Sequence, residues 1–206
     1  MLIKEETVFY QAGSLSIEGR YAEAETEKGV IISHPHPQMG GNMWNNVVET
    51  LLSSFYRKGY STLRFNFRGV GRSEGTYDGG NGEQDDILAA AAYLASKGKK
   101  GICLAGYSFG AWVTVKVTDH HQGFADAILI SPPVDFLDFD FSESQGKIGL
   151  MICGDQDQFS SPDSLSVIAR QIHSHLEIIK GADHFYIEKE YEITGILDRY
   201  IIREQR

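Results

Sequence analysis

Cysteine is scarce in this chain: Cys103 and Cys153 are the two present, and both fall inside short apolar runs read as buried strands. They are expected to be inert core thiols rather than a disulfide, which suits a reducing compartment and a cytoplasmic location. Basic charge is also short. Nineteen Lys and Arg stand against 28 Asp and Glu, a formal net charge of −9. That balance argues against a nucleic-acid partner and against an anionic membrane surface. No apolar run approaches the ~20 residues of a membrane span, and the opening MLIKEETVFY does not read as a signal peptide. There is no internal repeat, low-complexity tract or Pro/Ser-rich linker. A single domain over residues 1–206 is therefore expected, long enough to bury a full core. No G-x-x-x-x-G-K-[ST] and no H-E-x-x-H occurs, so neither a P-loop nor a zincin site is indicated.

What the chain does have is centred on residues 100–112, KGICLAGYSFGAW. Ile102, Cys103, Leu104 and Ala105 form an apolar run of the kind that fills a buried strand. It leads directly into Gly106-Tyr107-Ser108-Phe109-Gly110, a G-x-S-x-G. In that motif the serine sits on a strained turn between strand and helix, its hydroxyl clear of the backbone. The following N–H groups face the place where an oxyanion develops. The two glycines belong there because strand and helix approach too closely for a Cβ. The alternative, a glycine-rich turn with an ordinary exposed serine, is weakened by the buried strand in front.

Around this stretch the chain alternates. Strands are expected over 6–11 and 15–24 as an opening hairpin, then over 29–33, 61–67, 127–130, 148–153 and 176–179. Helices are expected over 45–57, 83–96, 163–172 and 190–202. Residues 111–118, AWVTVKVT, alternate and are β-branched, so propensity alone favours a strand. The motif before them demands a helix, and the helix is preferred here. The pattern implies a three-layer α/β/α sandwich: a mostly parallel sheet with an antiparallel N-terminal hairpin, covered on both faces.

In such a sheet, reactive groups collect beyond the carboxyl ends of the strands. The strand at 29–33 ends at His34 and His36, that at 61–67 at a glycine turn, and the central strand at Ser108. The strand at 148–153 delivers Asp155 and Asp157, and the last strand delivers His184. Serine, acid and histidine in that chain order match the triad order of one serine-hydrolase fold. A serine hydroxyl is a poor nucleophile unless a neutral imidazole takes its proton, and a carboxylate must hold the imidazole's other N–H. His184 suits the base. His120, His121, His173 and His175 lie at or near helix ends in solvent-like sequence, and His34 and His36 come too early in the chain. Spacing leaves the acid open between Asp155 and Asp157, the other being a turn-stabilising side chain.

Taken together, these residues resemble the α/β-hydrolase superfamily over essentially the whole chain. More narrowly, the chain looks like small bacterial, dienelactone-hydrolase-like hydrolases with an H-P-H-P-x-x-G-G-x-M-x-N segment, here residues 34–45. Residues 68–75, RGVGRSEG, the serine motif, Gly154-x-x-Asp157 and Gly181-x-x-His184-Phe185 also match. The resemblance implies that Asp157 is the acid, that residue 111 onward is helical, and that no cap domain is present. Residues 131–147 are too short to form a separate lid.

One oxyanion donor should be the N–H after the nucleophile, that of Phe109. The second should come from the loop after the strand at 29–33. Pro35 and Pro37 lack an N–H, leaving His34, His36 and Gln38. His36 occupies the usual place in the fold and is preferred, with Gln38 second. Trp44, Phe159 and Phe185 are expected to line the substrate site, with Phe136, Phe139 and Phe141 as further wall candidates. Metal binding by His34 and His36 lacks a completing carboxylate or cysteine. The glycine turn at 69–75 departs from G-x-G-x-x-G by one residue and reads as structural.

The expected activity is a serine hydrolase of carboxylesterase type acting on small esters, with no cofactor and no metal implied. Thioesters or lactones are the enzymatic alternatives. A non-catalytic binding or sensor protein on the same fold, or acyl transfer to an acceptor other than water, are the remaining readings. A lidless site favours small or exposed acyl groups.

Overall fold

The computed structural model describes residues 3–204. Its elements run β1 Glu6–Ala12, β2 Leu15–Ala22, β3 Lys28–Ser33, α1 Asn46–Arg57, β4 Ser61–Phe65, α2 Gly82–Ser96, β5 Gly101–Tyr107 and α3 Phe109–His120. There follow β6 Asp126–Ile130, β7 Leu150–Gly154, α4 Pro162–Ile172, β8 His175–Ile179 and α5 Glu190–Glu204. One eight-stranded sheet has the order β1-β2-β4-β3-β5-β6-β7-β8. β2 pairs antiparallel with both β1 and β4, and every other pairing is parallel. The expected α/β-hydrolase architecture, antiparallel hairpin included, is what the chain adopts.

The apolar runs divide by period two. On one face Val30 and Ile32 of β3, Cys103, Ala105 and Tyr107 of β5, and Ile128 and Ile130 of β6 pack with α1 and α5. On the other, Ile31, Leu104 and Leu129 pack with residues of α2, α3 and α4. Both faces are covered, which is why these strands read as continuous apolar segments and not as alternating ones. Cys103 and Cys153 are buried free thiols, and burial pushes Cys153 up to about 12.

Several boundaries differ from expectation by one or two residues; β7, for example, runs Leu150–Gly154 where 148–153 was expected. β4 stops at Phe65 because Asn66 N–H turns to the Glu18 carbonyl and Phe67 N–H to the His34 ring. β2 stops at Ala22. Residues 111–118 are helical despite their β-branched content, since α3 starts directly at the serine turn and buries Val113, Val115 and Val117. Tertiary placement overrides local propensity there. Among the described residues, no helix is long and apolar enough to cross a membrane.

Candidate active site

Ser108 joins β5 to α3 with φ 55° and ψ −117°, a conformation an L-residue adopts only under constraint. The constraint is visible at the flanking glycines. A Cβ on Gly106 would lie 2.5 Å from the Gly110 carbonyl oxygen, and one on Gly110 2.5 Å from that of Ser33. Strand, turn and helix are in backbone contact, as the motif requires.

The loops after β7 and β8 bring the acid and the base to this turn. His184 Nε2 stands 2.9 Å from Ser108 Oγ. Its Nδ1 lies 3.0 and 2.9 Å from the two Asp157 carboxylate oxygens. All three side chains are buried. Asp157 Oδ1 also accepts the Phe159 N–H at 2.9 Å, which fixes the carboxylate. With Nδ1–H donated to Asp157, Nε2 is left as the acceptor for the serine hydroxyl proton.

The two candidate acids sit in different surroundings. Asp155 is exposed, and its Oδ1 accepts the Gly181 N–H at 2.6 Å. It ties the acid loop to the histidine loop as a turn-stabilising side chain. The two loops also touch at Gly154, where a Cβ would lie 2.1 Å from the Ala182 carbonyl oxygen. A contact that the sequence reading missed supports His184 from below: the buried Tyr107 hydroxyl donates to the His184 carbonyl at 2.7 Å. Its only signal was its place beside the serine in the motif.

The loop after β3 is folded on itself. Met39 and Gly41 N–H both return to the His36 carbonyl at 3.0 Å. A Cβ on Gly41 would lie 2.1 Å from the Pro35 carbonyl oxygen. His34 is fully buried; its Nε2 accepts the Phe67 N–H at 3.0 Å and its Nδ1 meets the Pro35 carbonyl at 2.6 Å. Desolvation lowers it from 6.5 to about 4, so this ring is a neutral strut between two loops. The His36 ring accepts the Gln38 N–H on Nδ1 at 3.2 Å and meets the Tyr77 hydroxyl at Nε2, also at 3.2 Å. Burial lowers its pKa as well. Gln38, the second-choice oxyanion donor, therefore has its N–H engaged. His36 and Phe109 both line the cavity above Ser108, their rings 4.9 Å apart. As the first residue of α3, Phe109 carries one of the N–H groups that a helix start leaves without an intrahelical partner.

Both histidine rings of this loop are thus engaged on both nitrogens. Among the described residues no group of three or more His, Cys, Asp or Glu stands ready for a metal.

The cavity has a volume of about 480 Å³. Phe159, Phe185 and Phe136 line it. Met39, Pro133 and Leu137, not anticipated, complete its apolar wall. Trp44 is a correction. It lies outside this cavity, its indole under the Arg64 guanidinium at 4.3 Å and the Arg20 guanidinium at 5.7 Å. Arg64 is buried and held by Glu5 at 2.6 Å, so it offers a flat cation on which the indole rests. Phe139 and Phe141 are a second departure: they stack on each other at 5.2 Å beside α4, away from Ser108.

The glycine turn at 68–75 is structural. Gly71 has φ 59°, and a Cβ there would lie 2.3 Å from Asn66 Nδ2. Asn66 in turn donates to buried Glu18 at 2.9 Å, and Arg68 pairs with buried Asp86 at 2.8 Å.

Comparison with known proteins places the chain in a family. A profile described as the alpha/beta hydrolase family matches residues 30–147. An uncharacterized protein of Rickettsia prowazekii is 34% identical over 96% of this chain and 89% of its own length. The structure of an alpha-beta serine hydrolase homologue from Coxiella burnetii superposes with a TM-score of 0.87 at 34% identity, covering 97% of this chain and 98% of that one. A serine hydrolase without lid from Xanthomonas campestris gives a TM-score of 0.88 at 28% identity, covering 98% and 96%.

Proposed function

We infer that this chain, which belongs to the alpha/beta hydrolase family, is a serine hydrolase that cleaves small carboxylic esters through an acyl-enzyme on Ser108. The observation that carries the reading is the unbroken hydrogen-bond chain from Asp157 through His184 to Ser108, whose hydroxyl sits on a strained turn inside an apolar cavity. As Ser108 Oγ bonds to the ester carbonyl carbon, its proton passes to His184 Nε2. Asp157 holds Nδ1–H and stabilises the imidazolium. The carbonyl oxygen takes the negative charge and meets the N–H groups of Phe109 and His36. The carbon–oxygen bond to the alcohol then breaks, and the proton on Nε2 goes to the leaving oxygen. Water repeats the sequence on the acyl-serine, releasing the acid and restoring Ser108.

Among the described residues the lining contains no group that would favour a thioester or lactone over an open ester, so the ester is the simplest substrate the site fits. The test is labelling by a fluorophosphonate probe with turnover of p-nitrophenyl acetate. Ser108→Ala should abolish labelling and lower kcat by about 10⁶-fold. Asp157→Asn should lower kcat by about 10⁴-fold, because the imidazole loses its fixed tautomer. Asp155→Asn should stay within about twofold, because the amide oxygen still accepts the Gly181 N–H. Folded wild-type protein that neither labels nor turns over would refute the reading and leave a ligand-binding role.

A further inference from the structure

The walls of the cavity restrict the substrate further, granted that Ser108 is the nucleophile. Among the described residues lining it there is no Lys, Arg, Asp or Glu. Most of its polar side chains are engaged internally: His36 by Gln38 and Tyr77, Tyr107 by the His184 carbonyl, His184 by Asp157 and Ser108, and Asn45, a neutral amide, through the Val47 N–H that its Oδ1 accepts. A carboxylate or phosphate entering the cavity would meet no cation. Removing an ion from water without a partner is costly, and the net charge of −9 repels anions at longer range.

The rings are also arranged with a direction. Phe159 stands edge-on to the His184 imidazole, centroids 4.8 Å apart at 71°, and Phe185 at 5.7 Å and 89°. Phe136 extends the same wall, 5.6 Å from Phe159 at 74°. His184 must return its proton to the leaving oxygen, so whatever that oxygen carries lies against these rings. A flat apolar group fits edge-to-face and offset contacts of this kind.

We propose that the preferred substrates are uncharged esters whose alcohol portion is apolar and flat, seated against Phe159, Phe185 and Phe136, and that an anionic group on that portion is rejected. Phe136 is 58% exposed, so it can be replaced without disturbing the core.

The experiment compares kcat/KM for benzyl butanoate and 4-carboxybenzyl butanoate, following butanoate release, on protein whose Ser108 labelling is measured in parallel. The neutral ester should exceed the anionic one by about 100-fold or more, the penalty of an unpaired ion. Phe136→Lys should narrow that ratio by about tenfold or more by supplying the missing cation. Similar rates for the two esters on enzyme that labels would overturn this inference while leaving the serine hydrolase reading intact. Absence of labelling and turnover would overturn both. A third comparison sets choline butanoate against its neutral 3,3-dimethylbutyl analogue. Faster choline ester cleavage would overturn the inference in favour of a cation cage; equal or slower cleavage supports it.

Discussion

Two loops face each other across Ser108 and are built on opposite plans. The loop after β3, with Pro35, His36, Gly40 and Gly41, holds its chain through internal hydrogen bonds, and both of its imidazoles are engaged on both nitrogens. The connection from β6 to β7 is instead braced by other elements: Trp112 Nε1–H donates to the Asp138 carbonyl at 2.7 Å, Gly146 N–H to the Ile172 carbonyl at 3.0 Å, and Lys147 Nζ to the Thr118 carbonyl at 3.0 Å. Near its start it meets the loop before α4. There Asp135 accepts from Ser161 N–H and Ser164 Oγ, at 2.6 and 2.8 Å, and Ser160 Oγ donates to the Pro132 carbonyl. Between these anchors it presents Phe136 to solvent. A developing oxyanion needs donors already in place, because reorganisation at the moment of reaction raises the barrier. Selecting a substrate needs only a surface of suitable shape and polarity. The self-bonded loop is thus suited to the chemistry, and the externally braced one, with Phe136 at the cavity, to discrimination.

Breaking the self-bonded loop should have the largest effect. Gly41→Ala forces a Cβ to 2.1 Å from the Pro35 carbonyl oxygen, so the turn carrying His36 must shift. Moving the proposed His36 N–H donor should lower kcat by about 10²–10³-fold on p-nitrophenyl acetate, in protein whose circular dichroism shows it folded. An unchanged kcat would place the second donor elsewhere.

The next effect is on stability. His34 holds its proton only below about pH 4 when folded, against 6.5 when free. Between those values the unfolded chain binds more protons, so stability rises with pH. The contribution is fully present above pH 6.5 and disappears as pH falls to 4. Urea unfolding should lose about 2 kcal/mol from this group between pH 7 and pH 5. In His34→Gln, that part of the pH difference should vanish, even though the variant is less stable at pH 7.

The smallest effect tests the externally braced connection. Phe139→Ala removes a ring stacked on Phe141 and remote from the nucleophile, so kcat/KM for any ester should change less than about twofold. A larger change would show that the far half of this connection also shapes the site.

Much of this was legible in the sequence, for identifiable reasons. Gly106 and Gly110 forced backbone contact, so they announced helix α3 even where AWVTVKVT spoke for a strand. Strand order and buried apolar runs placed Ser108, His184 and an acid at successive strand ends. Asp155 and Asp157 could not be separated by spacing, because their difference lies in which one meets Gly181 N–H and which meets an imidazole. Trp44 misled for a similar reason. An aromatic in a loop beside the nucleophile reads as a wall, but its partners Arg20 and Arg64 come from strands whose neighbourhood only the folded sheet reveals. The separation of Phe136 from Phe139 and Phe141 likewise depends on how one short connection turns.

The position of β8 has a consequence for how this protein fails. β8 is the last strand of the sheet, bonded to β7 alone and half-exposed along most of its length. Edge strands with few buried contacts open at lower free energy than the centre of a sheet. Ser108 hangs from β5, deep in the middle, whereas His184 follows the edge. Fraying of that edge separates base from nucleophile while the two packed faces persist. Turnover should therefore fall at denaturant concentrations where the core amides around β3, β5 and β6 still resist hydrogen exchange.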